Sequence, residues 1–89
     1  MEIEVRLPPD MDPEARETLL AKEYARGLEL RSRGVIKRIW RVPGRLANVA
    51  IYEAASADEV HAAVSSLPLF PWIRARVSPL ATHPLETAR

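Results

Sequence analysis

Residues 35–53, VIKRIWRVPGRLANVAIYE, decide how this chain folds. Residues 35–42 are rich in β-branched residues, which favours a strand, and residues 47–53 are predicted to form another. Pro43 and Gly44 interrupt the pattern between them, because neither residue suits the middle of a regular strand. The stretch therefore predicts an antiparallel hairpin in the middle of the chain.

A strand and a long helix precede the hairpin. Residues 1–7 alternate between apolar and charged side chains, which predicts a half-buried strand. Asp12 followed by Pro13 is typical of a helix N-cap and first helical position, so a helix is predicted over residues 13–33. Gly34 then supplies the left-handed residue that commonly closes a helix.

A shorter helix and a last strand follow the hairpin. Ser56 and Glu59 form a capping box, which predicts a helix over residues 57–66. Residues 70–78 alternate again and predict a fourth strand. The segment SLPLFPW, residues 66–72, carries two prolines that a regular helix or strand avoids. It is interpreted either as a rigid joint between helix and strand or as the wall of a pocket.

The element order βαββαβ predicts a ferredoxin-like α+β fold, a four-stranded antiparallel sheet with two helices on one face. We expect residues 1–89 to form a single domain of this kind. The strands carry apolar side chains on both faces, so the face without helices also needs a cover. A second copy packed sheet against sheet is the simplest cover, which gives a dimeric α+β barrel.

Composition narrows the possible partners. The net charge is +1 and the chain has no cysteine, which argues against a polyanion partner and excludes disulfides and thiolate metal sites. Residues 1–7 lack the aromatics that a sheet needs to stack RNA bases, so no nucleic-acid partner is expected. His61 has no second ligand at a useful spacing, so no metal is expected. Without a leader pattern or a long apolar run, the chain is predicted to be cytoplasmic, with no membrane partner.

One acid interrupts the apolar face predicted for the first helix. At about 100° per residue, Glu23 falls inside the apolar arc, between Leu19 and Gly27. Gly27 leaves a hollow beside the carboxylate unless packing fills it. Burial raises the pKa of a carboxylate, so such an acid can accept and return a proton near neutral pH. The alternative is that Glu23 lies at the edge of the stripe and pairs with Arg16 or Arg31.

Alternation also groups the polar residues of the hairpin. Arg38 and Trp40 share one face of the first hairpin strand, while Asn48 and Tyr52 share one face of the second. Strands that face solvent often carry such residues, so the pattern alone does not assign them to a site.

Seven short stretches occur in a recognisable order and spacing: LPPDMDP at 7–13, AKE at 21–23, Trp40-Arg41, Pro43-Gly44, Ala47-Asn48, LPLFPW at 67–72 and His83-Pro84. Together they resemble the muconolactone isomerase family, including its relative chloromuconolactone dehalogenase. The most specific part is LPLFP followed by an aromatic residue, with His-Pro about a dozen residues later.

The resemblance implies an isomerase of the β-ketoadipate pathway of aromatic catabolism, which uses no cofactor. Its substrate would be a lactone with a carboxymethyl arm, and muconolactone would become 3-oxoadipate enol-lactone. Dimers would assemble into a larger ring such as a decamer. The resemblance makes Glu23 the proton shuttle. It suggests further substrate-binding residues: Arg41 and Arg38 for the substrate carboxylate, Asn48, Tyr24 or a backbone amide for the dienolate oxygen, Trp40 and Phe70 as ring walls, and His83 from the same or a neighbouring subunit.

The chain also departs from the family pattern. Arg38 stands where the family has His, Arg45-Leu46 where it has His-Tyr, and Val49 where it has Tyr. These changes are consistent with another acidic lactone as substrate. Two other functions stay open: a non-catalytic ligand-binding or oligomer-forming relative, and a chloromuconolactone dehalogenase.

Overall fold

The chain has the predicted βαββαβ order in the computed structural model, which describes residues 1–86. The elements are β1 (Glu2–Val5), α1 (Pro13–Ser32), β2 (Ile36–Arg41), β3 (Ala47–Tyr52), α2 (Ala57–Ser65) and β4 (Ile73–Arg76), with short 3-10 turns at Phe70–Trp72 and Pro84–Glu86.

The four strands form one antiparallel sheet in the order β2-β3-β1-β4. β1 therefore lies at the centre, where Ile3 is opposite Asn48 of β3 and Ala75 of β4. Both helices pack on the face that carries Ile3, and the core joins sheet and helices. Its buried members are Ile3, Leu30, Ile36, Ala63 and Leu67. The predicted ferredoxin-like α+β architecture is confirmed.

Local chemistry sets the helix ends as the sequence predicts. The Asp12 carboxylate accepts a hydrogen bond from the Ala15 amide at 3.0 Å, and the Ser56 hydroxyl accepts one from the Glu59 amide at 3.1 Å. Gly34, with a φ of 77°, follows α1 in the left-handed region that glycine tolerates. These features set the first residues of α1 and α2 and the last residue of α1.

The last strand is shorter than predicted. Phe70–Trp72 form a 3-10 turn, and β4 begins only at Ile73. The amides of Phe70 and Trp72 donate to the carbonyls of Leu67 and Leu69 at 2.9 and 2.8 Å. Because these amides bond locally, and Pro71 has none, the segment cannot donate to the ladder, although the Trp72 carbonyl accepts from the Arg6 amide at 2.9 Å.

The apolar arc predicted for α1 is wider than the surface that the helix buries. Leu30 is 2% exposed, but Tyr24 is 71% exposed and Leu28 is 51% exposed. The helix contacts the sheet along a narrow stripe, so residues at the margins of the arc remain in solvent.

Candidate active site

Glu23 lies on the side of α1 that faces the sheet, and it is half-buried. Its Oε1 accepts a hydrogen bond from the Leu69 amide at 2.9 Å. Burial raises the pKa of the Glu23 carboxyl, and the hydrogen bond from Leu69 opposes that rise. Within residues 1–86 the ion pairs do not include Glu23, so the alternative pairing with Arg16 or Arg31 is not seen. A carboxylate without a cation beside it is a better base than a salt-bridged one.

The proline-containing segment after α2 supplies that amide. Leu67 and Leu69 are buried and fix the segment in the core. The Leu69 amide belongs to no strand or helix, and a buried amide needs an acceptor. Glu23 provides it across 46 residues of sequence. The segment is thus a joint between helix and strand, and it also holds the acid in place.

The side of α1 beside Glu23 has open space at Gly27. Gly27 is one helical turn after Glu23, on the same side of α1. Outside the helix's own backbone, no atom of the described residues lies within 4 Å of the position that a Cβ at Gly27 would take. The hollow next to the carboxylate is therefore not filled by packing.

Tyr52, at the end of β3, is a further polar group on this side of the sheet. It lies opposite the buried Ile36 and packs against the core. Burial raises the pKa of the Tyr52 hydroxyl, and the negative charge of Glu23 raises it further. Tyr52 also lines an apolar cavity of about 600 Å³ together with His61 and Phe70. The two rings make an edge-to-face contact with centroids 6.3 Å apart.

Arg41 and Asn48 lie opposite each other on β2 and β3, on the same face as Ile3. The Asn48 Oδ1 atom is buried, and it has no hydrogen-bond partner among residues 1–86. The Arg41 guanidinium makes a long contact of 3.5 Å with the Ala47 carbonyl. Both groups therefore retain hydrogen-bonding capacity on the helix side of the sheet.

Arg38 and Trp40 lie on the opposite, open face. They are paired with Ile51 and Val49, and the Arg38 guanidinium lies 5.1 Å from the centre of the Trp40 ring. A bulge in β2 between Ile36 and Arg38 produces this arrangement. Within one subunit, Arg38 and Trp40 are thus separated from Glu23 by the sheet.

Two other predicted site residues are exposed. Tyr24 follows Glu23 on α1 and is largely exposed. His83 lies in the exposed chain after β4, where its Nδ1 accepts a hydrogen bond from the Leu85 amide at 3.0 Å. Tyr24 and His83 therefore lie in solvent, whereas Arg41 and Asn48 lie on the helix side of the sheet, as Glu23 does.

Comparison with known proteins gives the family. The model of the muconolactone delta-isomerase family matches residues 1–86. The chain belongs to the muconolactone delta-isomerase family. A muconolactone Delta-isomerase from Rhodococcus opacus is 40% identical over 81 residues, which are 91% of this chain and 87% of that protein. One from Cupriavidus pinatubonensis is 39% identical over 82 residues, which are 92% of this chain and 89% of that protein.

A solved structure supports the same family assignment. The crystal structure of muconolactone isomerase at 3.3 Å resolution has a TM-score of 0.90 and 32% sequence identity, and it covers 99% of this chain and 92% of its own. The family resemblance and the fold that the sequence predicted are therefore confirmed. In the part of the chain that the structure describes, no helix is long and apolar enough to cross a bilayer. The described residues also contain no group of three or more His, Cys, Asp or Glu side chains that could hold a metal ion.

In this muconolactone delta-isomerase family member, sequence reasoning missed two parts of the site. The Leu69 donor is a backbone amide, which residue types do not reveal. The prolines around it indicate only that the segment is not a regular helix or strand. Tyr52 was grouped with Asn48 by strand alternation, and that grouping is correct. What alternation lacked was the position of α1 above it, which puts the charge of Glu23 near the phenol.

Proposed function

We propose that this protein is a cofactor-free isomerase that moves a C=C bond within a carboxymethyl-substituted unsaturated lactone, converting muconolactone to 3-oxoadipate enol-lactone. One observation supports this most directly. The Glu23 carboxylate is half-buried beside the open space at Gly27, with Oε1 held by the Leu69 amide and no cation of residues 1–86 paired to it. Its Oε2 has no hydrogen-bond partner among the described residues and is not sealed from solvent, so it is free to meet a substrate.

The reaction needs one base and two proton positions. Glu23 removes the proton from the ring carbon next to the lactone oxygen, and the electron pair moves through the C=C bond onto the carbonyl oxygen as a dienolate. The protonated Glu23 then returns the proton to the ring carbon beside that carbonyl. Both carbons belong to one small ring, so one carboxylate reaches both. Its raised pKa suits it to hold the proton between the two steps.

Recognition of the substrate's carboxymethyl arm requires a cation. Arg41 is the arginine of β2 that lies on the same face as the core and opposite Asn48. A guanidinium binds a carboxylate through two parallel hydrogen bonds, and the weak contact of Arg41 with a carbonyl leaves its fork free for this. Arg41 is therefore our choice for the arm of the lactone.

The open face of the sheet supports assembly with further copies of the chain. Trp40 is 48% exposed there, and Val49 and Ile51 are each 37% exposed. Neighbouring acidic and basic groups, Glu2 opposite Arg76 and Glu4 opposite Arg74, surround this apolar strip. A second copy packed on this face would cover the strip and bring the Arg38–Trp40 pair into an interface. We therefore propose a dimer, built into a larger ring in a cytoplasmic enzyme.

The test is turnover of muconolactone, followed by the ultraviolet change that accompanies the double-bond shift. Glu23→Gln keeps the shape and an oxygen for the Leu69 amide but cannot act as a base. We expect turnover to fall by at least about 100-fold, with the oligomer intact. Glu17→Gln makes the same change at an exposed position of α1 and is expected to leave turnover within about twofold.

Two outcomes would contradict the proposal. An unmodified protein that turns over neither muconolactone nor a chlorinated muconolactone is a binding or assembly protein instead. Loss of chloride from the chlorinated lactone, without isomerisation of the unchlorinated one, would identify a dehalogenase that uses the same base.

A further inference from the structure

Glu23 and Tyr52 are two open polar groups on the same side of the sheet. Neither Glu23 Oε2 nor the Tyr52 hydroxyl has a hydrogen-bond partner among residues 1–86, and neither is sealed from solvent. They are not hydrogen-bonded to each other, yet the charge of Glu23 acts on the Tyr52 hydroxyl. The two groups therefore lie on the same side of the sheet, with no hydrogen bond across the gap between them.

The packing of α1 explains this proximity. Leu30 lies seven residues after Glu23 on the same side of the helix, about 10 Å along its axis. Leu30 is in the core cluster with Ile36, and Tyr52 is directly opposite Ile36 and packs against the same cluster. The core cluster thus places Tyr52 on the part of the sheet that α1 covers, the same side as the carboxylate.

Tyr52 also belongs to the wall of the 600 Å³ cavity, which is lined mainly by apolar groups. The other titratable groups on this wall are His61 of α2 and the α-amino group of Met1. That amino group is engaged with the Ala50 carbonyl at 2.7 Å, and the His61 ring is in edge contact with Phe70. Tyr52 is the wall residue whose polar group also lies within the electrostatic reach of Glu23.

We infer that Tyr52 is a catalytic residue that donates a hydrogen bond to the lactone carbonyl oxygen as the dienolate forms. This inference rests on the proposed isomerase function and adds a residue to it. The lactone ring would occupy the gap, with Glu23 at its ring carbons and the Tyr52 hydroxyl at its carbonyl. Tyr52 keeps its proton throughout, because only the Glu23 proton moves from one ring carbon to the other.

The charge change makes such a donor useful. Before reaction the base is an anion and the carbonyl is neutral, whereas in the intermediate Glu23 is neutral and the carbonyl oxygen carries the charge. A phenol that donates to the carbonyl oxygen and not to Glu23 stabilises the intermediate more than the ground state, which is the condition for a rate effect. Removal of a single donor to a developing oxyanion typically costs 10²–10³-fold in kcat.

The first measurement removes one hydroxyl group at a time. Tyr52→Phe keeps the ring that packs on the core and removes a hydroxyl that has no hydrogen-bond partner among residues 1–86. We expect kcat on muconolactone to fall about 100-fold, KM to change less than about threefold, and the thermal unfolding midpoint to stay near that of the unmodified protein. Ser65→Ala removes an exposed hydroxyl at the end of α2; it is the control and is expected to leave kcat within about twofold.

The second measurement tests the contact without turnover. Glu23→Gln imitates the protonated base, and a carboxymethyl tetronate imitates the dienolate, because it is a planar five-membered enolate whose charge is shared by the two oxygens outside the ring, one of them the lactone carbonyl oxygen. Adding Tyr52→Phe to Glu23→Gln should weaken tetronate binding about 10- to 100-fold by calorimetry, since a hydrogen bond to a charged group is lost. Binding of the saturated carboxymethyl lactone, whose ring is uncharged, should change less than about threefold.

The outcomes separate the inference from the proposed function. If Glu23→Gln abolishes turnover but Tyr52→Phe keeps kcat within about threefold, the isomerase stands and the role of Tyr52 is refuted. If Tyr52→Phe weakens both probes equally, Tyr52 shapes the cavity and does not stabilise the dienolate, and the inference is again refuted. An unmodified protein without lactone turnover refutes the proposed function and the catalytic role of Tyr52 together.

Discussion

Shortening the acid by one methylene group tests the link between the Leu69 amide and catalysis. Glu23→Asp retains a carboxylate, so it differs from Glu23→Gln in position and not in the kind of base. In the present structure Oε1 is 2.9 Å from the Leu69 nitrogen. Withdrawal of the carboxylate by about 1.5 Å, one carbon–carbon bond, moves this separation beyond hydrogen-bond range.

The structure sets the size of the expected effects. Leu69 is 3% exposed, so its amide would lose its acceptor in a buried place. An unsatisfied buried amide costs about 1–3 kcal/mol, which lowers the unfolding midpoint of a domain this size by roughly 5–15 °C. A displacement of about 1 Å at a reacting group costs on the order of 100-fold in rate. Glu23→Asp should therefore lose both stability and kcat.

Calorimetric unfolding at one fixed protein concentration and steady-state turnover of muconolactone measure the two effects. Glu23→Gln provides the contrast, because its amide oxygen still accepts from Leu69 and its stability should be retained while turnover is lost. Glu17→Asp controls for the same substitution at an exposed site of α1. If Glu23→Asp unfolds at the original temperature and keeps kcat within about twofold, the hydrogen bond from Leu69 does not position the base.

Three further predictions concern the acid, the hollow and the open face. Burial raises the pKa of Glu23 above its ordinary 4.5, so kcat/KM should fall as the pH decreases, with a limb above pH 4.5. The same shift means that Glu23 contributes stability below pH 4.5 and that this contribution is lost as pH rises through the raised pKa. The unfolding midpoint of Glu23→Gln should therefore rise relative to that of the unmodified protein between pH 4 and pH 7. Gly27→Ala should stabilise α1 by about 0.5–1 kcal/mol in denaturant unfolding, yet raise KM because the methyl group enters the hollow; an unchanged KM would show that substrate does not use it. Trp40→Glu should place a charge in the proposed sheet-to-sheet interface and reduce the mass measured by light scattering, and an unchanged mass would exclude Trp40 from the interface.

Much of the fold follows from local sequence. Alternation of residue types, the caps at Asp12 and Ser56 and the closing Gly34 depend on neighbours within a few positions, and the elements appear in the predicted order. The start of the last strand was less predictable. Residues 70–72 alternate like a strand, but their amides bond locally around Pro71, and this competition is not visible in a hydrophobic pattern.

The sequence by itself determined that Glu23 interrupts the apolar side of α1 and that Gly27 stands one turn away, because helical periodicity fixes which residues share a side. Only the tertiary structure decided which amide holds the acid, which tyrosine lies near it and which arginine shares its side of the sheet. The Leu69 amide binds Glu23 across 46 residues of sequence. The hydroxyl of Tyr52, on β3, is affected by the charge of Glu23 on α1. Such contacts depend on where α1 lies on the sheet, which the packing of the whole core sets.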